Sequence, residues 1–393
     1  MKKVLFDGTA IQPSTKASFH GGSEYAKCVL REILNQGKNI DIIFYNNLPI
    51  PPDIMATLDS HHIKTHYTAS KNDLYKFIDL EGYDLFYSPL PYAYYDYNGN
   101  TTIIGVIHGL RTIEFPWDRY YHKFINTPVK KFIGRIISYT PFLWQILKKR
   151  NISKFSKLLL NPKFKFITVS EHSKYSLVKF YPSLNEKDIE VCYSPLDTIS
   201  HEKVETRNNV EKYFLLVSGN RAEKNIIRAV SALDNLFTKG LLTTYKVKIT
   251  GVTNPKIFSH IKNSEKFEFL PYISSAELNK LYRNAFCFIY PSLNEGFGYP
   301  PLQAMACHIP VIASSATSIP EVCGNAALYF SPTNIDDLEN RILQIALNSQ
   351  IRESLIESGN KRLEEIKFRQ KKGPRKIDKS NFQIKLKFIN ESP

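Results

Sequence analysis

Residues 287–314 carry the sequence CFIYPSLNEGFGYPPLQAMACHIPVIAS, and this stretch decides the fold class. The apolar run at 287–292 predicts a strand buried on both faces, and a loop with two glycines follows it. Two prolines come next, then an apolar helical pattern that begins near Leu302, and a second buried strand is predicted at 310–314. This order of strand, glycine loop, helix and strand is typical of a parallel α/β sheet.

The same alternation recurs along the whole chain. Helical patterns such as 23–37 and 275–285, with Ser275 as the predicted N-cap, separate short apolar runs that often end in Gly, Ser or His. The predicted strands lie at 4–6, 41–45, 84–88, 102–108, 164–170, 190–194, 213–219, 245–251, 287–292 and 310–314. We therefore predict an α/β protein with two Rossmann-like, doubly wound domains that face a cleft.

A polar segment interrupts this series between the sixth and seventh predicted strands. It has little apolar periodicity, and a new series of strand and helix patterns begins at Tyr213. The predicted organisation is an N-terminal domain at 1–196, a linker at 197–212, a C-terminal domain at 213–365 and a basic, poorly ordered tail at 366–393.

Composition excludes several classes of protein. The five cysteines are widely spaced without a C-x-x-C pair, which argues against a zinc site or a disulfide framework. Asp7 cuts the first apolar run short of a signal peptide, and no window is long and apolar enough for a membrane span. The net charge of +15 favours an acidic partner: a nucleotide, an anionic membrane or a nucleic acid. We expect a cytoplasmic protein.

The region 119–165 has twelve basic residues, no acidic residue and many interleaved apolar ones. One interpretation is a membrane-interface segment on the inner face of the cell membrane, with Phe142 and Trp144 among the lipid headgroups. The other is a pair of ordinary helices with a solvated basic face. The sequence leaves both open.

The glycine loop at 295–298 has the chemistry of a binding site. Gly296 and Gly298 allow a ligand to approach the backbone closely. The next helix points its N-terminus at this loop, and its dipole favours a phosphate there. Glu295 stands at the edge of the loop, where a carboxylate can hold sugar hydroxyls. The alternative is a tight turn with an incidental glutamate.

These residues resemble glycosyltransferase family 4, whose members are retaining enzymes with the GT-B fold and a Glu-x7-Glu signature. Glu295 and Gln303 stand at the two signature positions. The blocks GGSEYAK (21–27), TVSEHSK (168–174), SGNRAEKNIIRAVSAL (218–233) and FLPYISSAELNKLYRNAFCFIYPS (269–292) resemble further family motifs in the same order. The resemblance covers about residues 1–365 and is strongest over 213–330.

The resemblance implies roles for particular residues. Glu295 would contact the hydroxyls of the donor sugar and support transfer. Gln303 would hold the nucleotide ribose, without the charge-assisted bond of a glutamate. Lys224 and Arg221 would grip the diphosphate, which carries the charge that develops as the sugar–phosphate bond breaks. The other donor-binding residues implied are Gly22, Ile273, and Phe297 and Gly298 through their backbone N–H groups.

The resemblance also implies a catalytic role for His108, which would face the donor sugar. Family members often have an aspartate next, where this chain has Gly109. The alternative is a core histidine at a strand end. Family members generally finish with a helix that crosses back to the N-terminal domain. No version of it is predicted after Ile366, since Gly373 and Pro374 would stop a helix.

The function implied is retaining transfer of a sugar from a nucleotide-sugar donor to a glycan or lipid-linked acceptor, in bacterial surface polysaccharide synthesis such as capsule or lipopolysaccharide. No cofactor or metal is expected, and no D-x-D motif occurs. One alternative is a non-catalytic protein of the same fold that binds nucleotide sugars or acts as a scaffold. A nucleic-acid-binding protein is the other, but no recognised nucleic-acid motif accompanies the charge.

Overall fold

The computed structural model describes residues 3–13, 21–115, 117–195 and 211–372. The chain divides into two compact units. Unit 1 comprises Met1–Leu110, Arg150–Asp197 and Phe368–Pro393, and unit 2 comprises Arg111–Lys149 and Thr198–Lys367.

Each unit is built on a parallel sheet with helices between the strands. The strands of unit 1 are β1 (Val4–Asp7), β2 (Asp41–Tyr45), β3 (Thr65–Thr68), β4 (Leu85–Ser88), β5 (Thr102–Ile107), β6 (Phe164–Thr168) and β7 (Glu190–Val191). The strands of unit 2 are β8 (Lys212–Leu216), β9 (Tyr245–Ile249), β10 (Phe267–Phe269), β11 (Cys287–Tyr290), β12 (Val311–Ser314) and β13 (Ala327–Phe330).

The helices follow the strands in the expected alternation. The first seven are α1 (Gly21–Asn35), α2 (Pro52–Ser60), α3 (Lys71–Leu80), α4 (Arg111–Glu114), α5 (Pro128–Ser138), α6 (Pro141–Leu159) and α7 (Glu171–Phe180). The others are α8 (Ile226–Thr238), α9 (Ser275–Asn284), α10 (Tyr299–Ala306), α11 (Ile319–Cys323), α12 (Ile335–Leu347) and α13 (Ser349–Lys372). No described helix is long and apolar enough to span a bilayer.

Both sheets are doubly wound. Their strand orders are β3-β2-β1-β4-β5-β6-β7 and β10-β9-β8-β11-β12-β13, and the pairings are parallel. The strand order therefore reverses between β1 and β4 in unit 1 and between β8 and β11 in unit 2. Such reversal points open a crevice at the carboxyl ends of the strands, where ligands bind. The predicted fold class is confirmed.

All ten predicted strands are present, and the sequence missed β3, β10 and β13. Each of the three lies at an edge of its sheet. An edge strand needs no continuous apolar run because one side meets solvent, and β3 has the sequence THYT with mostly half-exposed side chains.

Helices α9 and α10 both begin earlier than predicted. The N-cap of α9 is Ser274, whose Oγ accepts the Glu277 N–H while the Glu277 carboxylate accepts the Ser274 N–H. Helix α10 begins at Tyr299, three residues before Leu302, because prolines fit a first helical turn. Helix α13 extends to Lys372, past the predicted domain end at 365.

The end of α13 belongs to unit 1, so the chain passes from one unit to the other within this helix. Arg369 donates to the Tyr193 hydroxyl at 3.0 Å, and Gln370 donates to the Ser194 carbonyl. The last turn of α13 therefore contacts residues of the predicted N-terminal domain. The prediction that the chain lacks such a final helix was wrong. The rest of the predicted tail, 373–393, and most of the predicted linker lie outside the described residues.

Unit 2 contains a segment that the predicted boundaries place in the N-terminal domain. Within Arg111–Lys149, Asp118 forms a buried ion pair with Arg228 of α8 at 2.9 Å, and Glu114 accepts a bond from Asn294 at 2.6 Å. These polar partners lie more than a hundred residues away, so local sequence patterns could not reveal the association.

Candidate functional site

The site predicted from the glycine loop lies at the reversal point of the unit 2 sheet. Strands β8 and β11 are neighbours, with Cys287 opposite Phe214. The loop after β8 carries Lys224, and the loop after β11 carries Glu295. The topology therefore brings together two side chains that are seventy-one residues apart.

Lys224 and Glu295 form a largely buried ion pair. Their Nζ and Oε1 atoms are 2.6 Å apart, and Lys224 also donates to the Tyr290 hydroxyl at 3.1 Å. The Ser292 hydroxyl donates to the same Glu295 oxygen at 2.5 Å. Burial alone would raise the pKa of Glu295, but the Lys224 charge and these hydrogen bonds outweigh it and lower the pKa. Glu295 is thus a fixed, ionised acceptor.

Arg221 is held beside this pair by a carboxylate that the sequence did not single out. Its Nε and Nη2 atoms donate to Glu223 Oε1 at 2.9 and 2.6 Å, and Arg111 donates to the same oxygen at 2.6 Å. Burial favours a raised pKa for Glu223, yet Arg111 and Arg221 lower it. The cation cluster, defined here as Arg111, Arg221 and Lys224, exceeds its two carboxylate partners by one positive charge.

The glycine loop is held by hydrogen bonds from Ser318 and leads directly into α10. Gly298 has a φ of +110°, a conformation that favours glycine. The Ser318 hydroxyl bonds the carbonyls of Glu295 and Phe297 at 3.0 and 2.9 Å. Pro300 and Pro301 occupy the first turn of α10 and lack N–H groups. Fewer donors are therefore available than at an ordinary helix N-terminus, and the predicted amide cradle stays a prediction.

Gln303 and Ile273 are both half-buried in unit 2. Gln303 lies on α10, and its carboxamide makes no hydrogen bond to any described residue. Ile273 directly precedes the N-cap of α9. Their predicted contacts with a donor stay predictions.

Gly22 and His108 belong to unit 1. Gly22 lies in the first turn of α1, and a Cβ there would come within 2.6 Å of Leu90. His108 follows β5, its ring lies edge-on to Tyr25 of α1, and its Nε2 bonds the Pro89 carbonyl at 2.9 Å. A carbonyl only accepts, so Nε2 carries the proton. The predicted catalytic role of His108 stays a prediction.

Two features of these sites escaped the sequence analysis. Glu223 stands between Arg221 and Lys224 in the motif RAEK, so an acidic residue among the basic ones was the available signal. Asp7 ends β1 as a buried carboxylate that accepts bonds from Ser88 and Tyr94. Burial raises the pKa of Asp7 above its usual value. Among the described residues no group of three or more His, Cys, Asp or Glu side chains could hold a metal ion.

The C-terminal region is similar to known protein families and relatives. Residues 197–362 match the family model described as Glycosyl transferases group 1. The O-antigen chain mannosyltransferase RfbU of Salmonella typhimurium is 32% identical over 185 residues, which cover 46% of this chain and 50% of that protein. The O-antigen chain mannosyltransferase B of Escherichia coli is 44% identical over 85 residues, 22% of each chain. The chain thus spans half or less of the length of these relatives.

The fold extends over nearly the whole chain. The crystal structure of WaaG, a glycosyltransferase involved in lipopolysaccharide biosynthesis, matches with a TM-score of 0.63 at 11% identity and covers 92% of this chain and 95% of its own. This match concerns the fold alone, and it agrees with the two parallel sheets. The chain therefore has the GT-B fold, and its residues 197–362 match the family described as Glycosyl transferases group 1.

Proposed function

We propose that this protein is a retaining glycosyltransferase that moves a mannosyl group from a nucleotide-activated donor to a glycan or lipid-linked acceptor during bacterial surface polysaccharide synthesis. The buried Lys224–Glu295 pair at the reversal point of the unit 2 sheet carries the proposal. The names of the two O-antigen relatives support the choice of sugar.

Glu295 and the two cations Lys224 and Arg221 have different roles in the proposed transfer. Glu295, kept ionised, would accept hydrogen bonds from the hydroxyls of the donor sugar. Lys224 and Arg221 would bind the diphosphate oxygens and stabilise the negative charge that grows as the sugar–phosphate bond breaks. The half-buried Gln303 would meet the ribose hydroxyls with its free carboxamide. Stereochemical retention follows from the family resemblance.

We also propose that side chains, rather than a bound metal, meet the charge of the diphosphate. The cation cluster supports this, because it offers three charges, two paired with Glu223 and one paired with Glu295. Activity in excess EDTA equal to that in Mg²⁺ would agree with the proposal, and restoration by Mg²⁺ alone would contradict it. The basic region 119–165 is the part of the chain proposed to meet an anionic membrane that holds the acceptor.

The test measures donor binding and turnover separately. GDP-mannose, UDP-glucose and ADP-glucose are titrated calorimetrically into the protein, and release of the nucleoside diphosphate is followed with and without membrane extract as acceptor. We expect GDP-mannose to bind. Glu295→Gln should reduce turnover about 100-fold or more, and Glu268→Gln, an exposed change elsewhere in unit 2, should leave it unchanged.

Three results distinguish the alternatives. Binding of a different donor, with turnover, would replace the mannosyl assignment but keep the transferase. Binding without turnover in the wild type would favour the non-catalytic binding protein. No binding of any donor by folded protein would remove the function proposed here.

A further inference from the structure

Helix α5 presents its large apolar side chains to solvent. Val129, Phe132, Ile133 and Ile136 follow the spacing i, i+3, i+4, i+7, which places them on one face of the helix. Between 48% and 71% of each residue is exposed. The surface continues beyond the helix, and we define the apolar stripe as Val129, Phe132, Ile133, Ile136, Tyr139 and Phe142.

The opposite face of α5 packs on the protein through small residues. A Cβ at Gly134 would come within 2.7 Å of the Ile125 side chain. The Ser138 hydroxyl, one turn on, donates to the Gly134 carbonyl and accepts from the Trp117 indole at 3.0 Å. An amphipathic helix of a globular protein normally buries its apolar face. Helix α5 does the reverse, so the stripe does not contribute to the core.

The base of this helix is firmly attached to unit 2. Asp118 and Arg228 form a buried ion pair at 2.9 Å, and the Arg228 guanidinium lies 4.7 Å from the ring centre of Tyr120. Tyr120 and Phe124 pack against the apolar core of unit 2. The segment that leads into the apolar stripe is thus anchored to the core of unit 2.

The surroundings of the stripe are strongly positive. Lys130, Lys131 and Arg135 flank it on α5 and are exposed, and the region 119–165 has no acidic residue. Burial lowers the pKa of His122, and Lys123, Arg135 and Lys131 lower it further. Trp144, which one of the two interpretations places among lipid headgroups, is half-buried and donates to the Ile137 carbonyl at 2.7 Å. Trp144 is therefore not part of the apolar stripe.

We propose that the apolar stripe docks on an anionic lipid bilayer, with α5 lying in the headgroup region and its basic flanks on lipid phosphates. Exposed apolar residues between cations suit such an interface. A second copy of the chain fits less well, since a symmetric contact would bring the same cations together. The inference deepens the proposed function because a lipid-linked acceptor would lie at this surface.

The test is cosedimentation with vesicles of phosphatidylcholine, alone or with about one third phosphatidylglycerol, in the absence of sugar nucleotides. We expect the wild type to bind the anionic vesicles and to be largely released in about 0.5 M salt. Phe132→Ser with Ile136→Ser should lower the partition coefficient at least about tenfold. Lys130→Glu with Lys131→Glu should do the same.

Matched controls change equivalent residues elsewhere in unit 2. Leu347→Ser removes an apolar side chain that is 78% exposed at the end of α12, and Lys262→Glu with Lys280→Glu reverses two exposed charges. Both controls should bind vesicles like the wild type. A thermal melt of each variant confirms that it is folded.

Several outcomes would overturn the docking proposal. They are absence of vesicle binding by the wild type, equal losses in the stripe and control variants, and a wild-type dimer that the serine substitutions dissociate without affecting vesicle binding. Donor binding is measured in parallel on the same proteins. Vesicle binding without donor binding would reject only the proposed function, and donor binding without vesicle binding would reject only the docking surface.

Discussion

Replacing Lys224 with methionine should destabilise the protein by about 3 kcal/mol, because it leaves Glu295 as a buried, unpaired carboxylate. At their separation of 2.6 Å, the two charges attract each other by about 6 kcal/mol at an effective dielectric constant of 20. Much of this offsets the desolvation of both groups. The 16% exposure of the Glu295 side chain and its bond from Ser292 soften the loss.

The thermal transition is the direct readout. A loss of about 3 kcal/mol in a unit of this size lowers Tm by about 6–12 °C. Glu295→Gln in the Lys224→Met background removes the orphaned charge and should recover about half of this shift. Lys361→Met, which breaks the pair with Glu357 that is exposed on both sides, is the control and should barely move Tm.

The pH dependence gives an independent check of the same ion pair. The pKa of Glu295 lies below its ordinary value of 4.5. Its contribution to stability is therefore fully present above pH 4.5 and is lost as the pH falls through the lowered pKa. In Lys224→Met, burial raises the pKa of Glu295 because the neighbouring cation is missing. As the pH falls, Glu295 is therefore protonated at a higher pH in the variant than in the wild type, and the variant loses its unpaired buried charge. The Tm difference between the two proteins should narrow from pH 7 to pH 4, and a constant or widening difference would refute the reasoning.

Three further predictions concern neighbouring parts of unit 2. Gln303→Glu should tighten donor binding severalfold in calorimetry, because a carboxylate makes charge-assisted bonds to ribose hydroxyls; weaker binding would place the ribose elsewhere. Gly298→Ala has room for its methyl group, but the φ of +110° should cost about 1–3 kcal/mol, seen as a lower Tm. Arg228→Met leaves Asp118 buried and unpaired, so hydrogen exchange of Arg111–Lys149 should accelerate relative to α12. Unchanged protection would show that the segment is held by other contacts.

The sheets could be predicted from sequence because buried parallel strands are continuous apolar runs. Strands β2 and β11 match the predicted ranges within two residues for this reason. The missed strands are edge strands. In β3 (THYT) the half-exposed polar side chains remove the apolar signal, whereas β13 (ALYF) is a short apolar run that was not predicted. The shift of the α9 N-cap from Ser275 to Ser274 has a local cause, since two adjacent serines offer the same hydroxyl and only the position of Glu277 selects one.

The site could be predicted only in part, for a different reason. Glycines, Lys224 and Glu295 lie in short motifs, so their chemistry is visible in the sequence. The partner of Arg221 is also close in sequence, but Arg111 meets Glu223 across more than a hundred residues. The association of Arg111–Lys149 with unit 2 likewise depends on tertiary ion pairs. No periodicity or capping rule encodes contacts of this kind.

The charge balance of the site bears on which anions it can select. Glu223 and Glu295 already neutralise most of the cation cluster. A free phosphate therefore meets only one net positive charge and must compete with both carboxylates for the cations. A sugar nucleotide differs because its hydroxyls can bind Glu295 while its diphosphate binds Lys224 and Arg221. The same carboxylate that weakens the binding of simple anions then accepts hydrogen bonds from the sugar. Glu295 would thereby favour an intact donor over a free phosphate, and it keeps Lys224 in place while the site is unliganded.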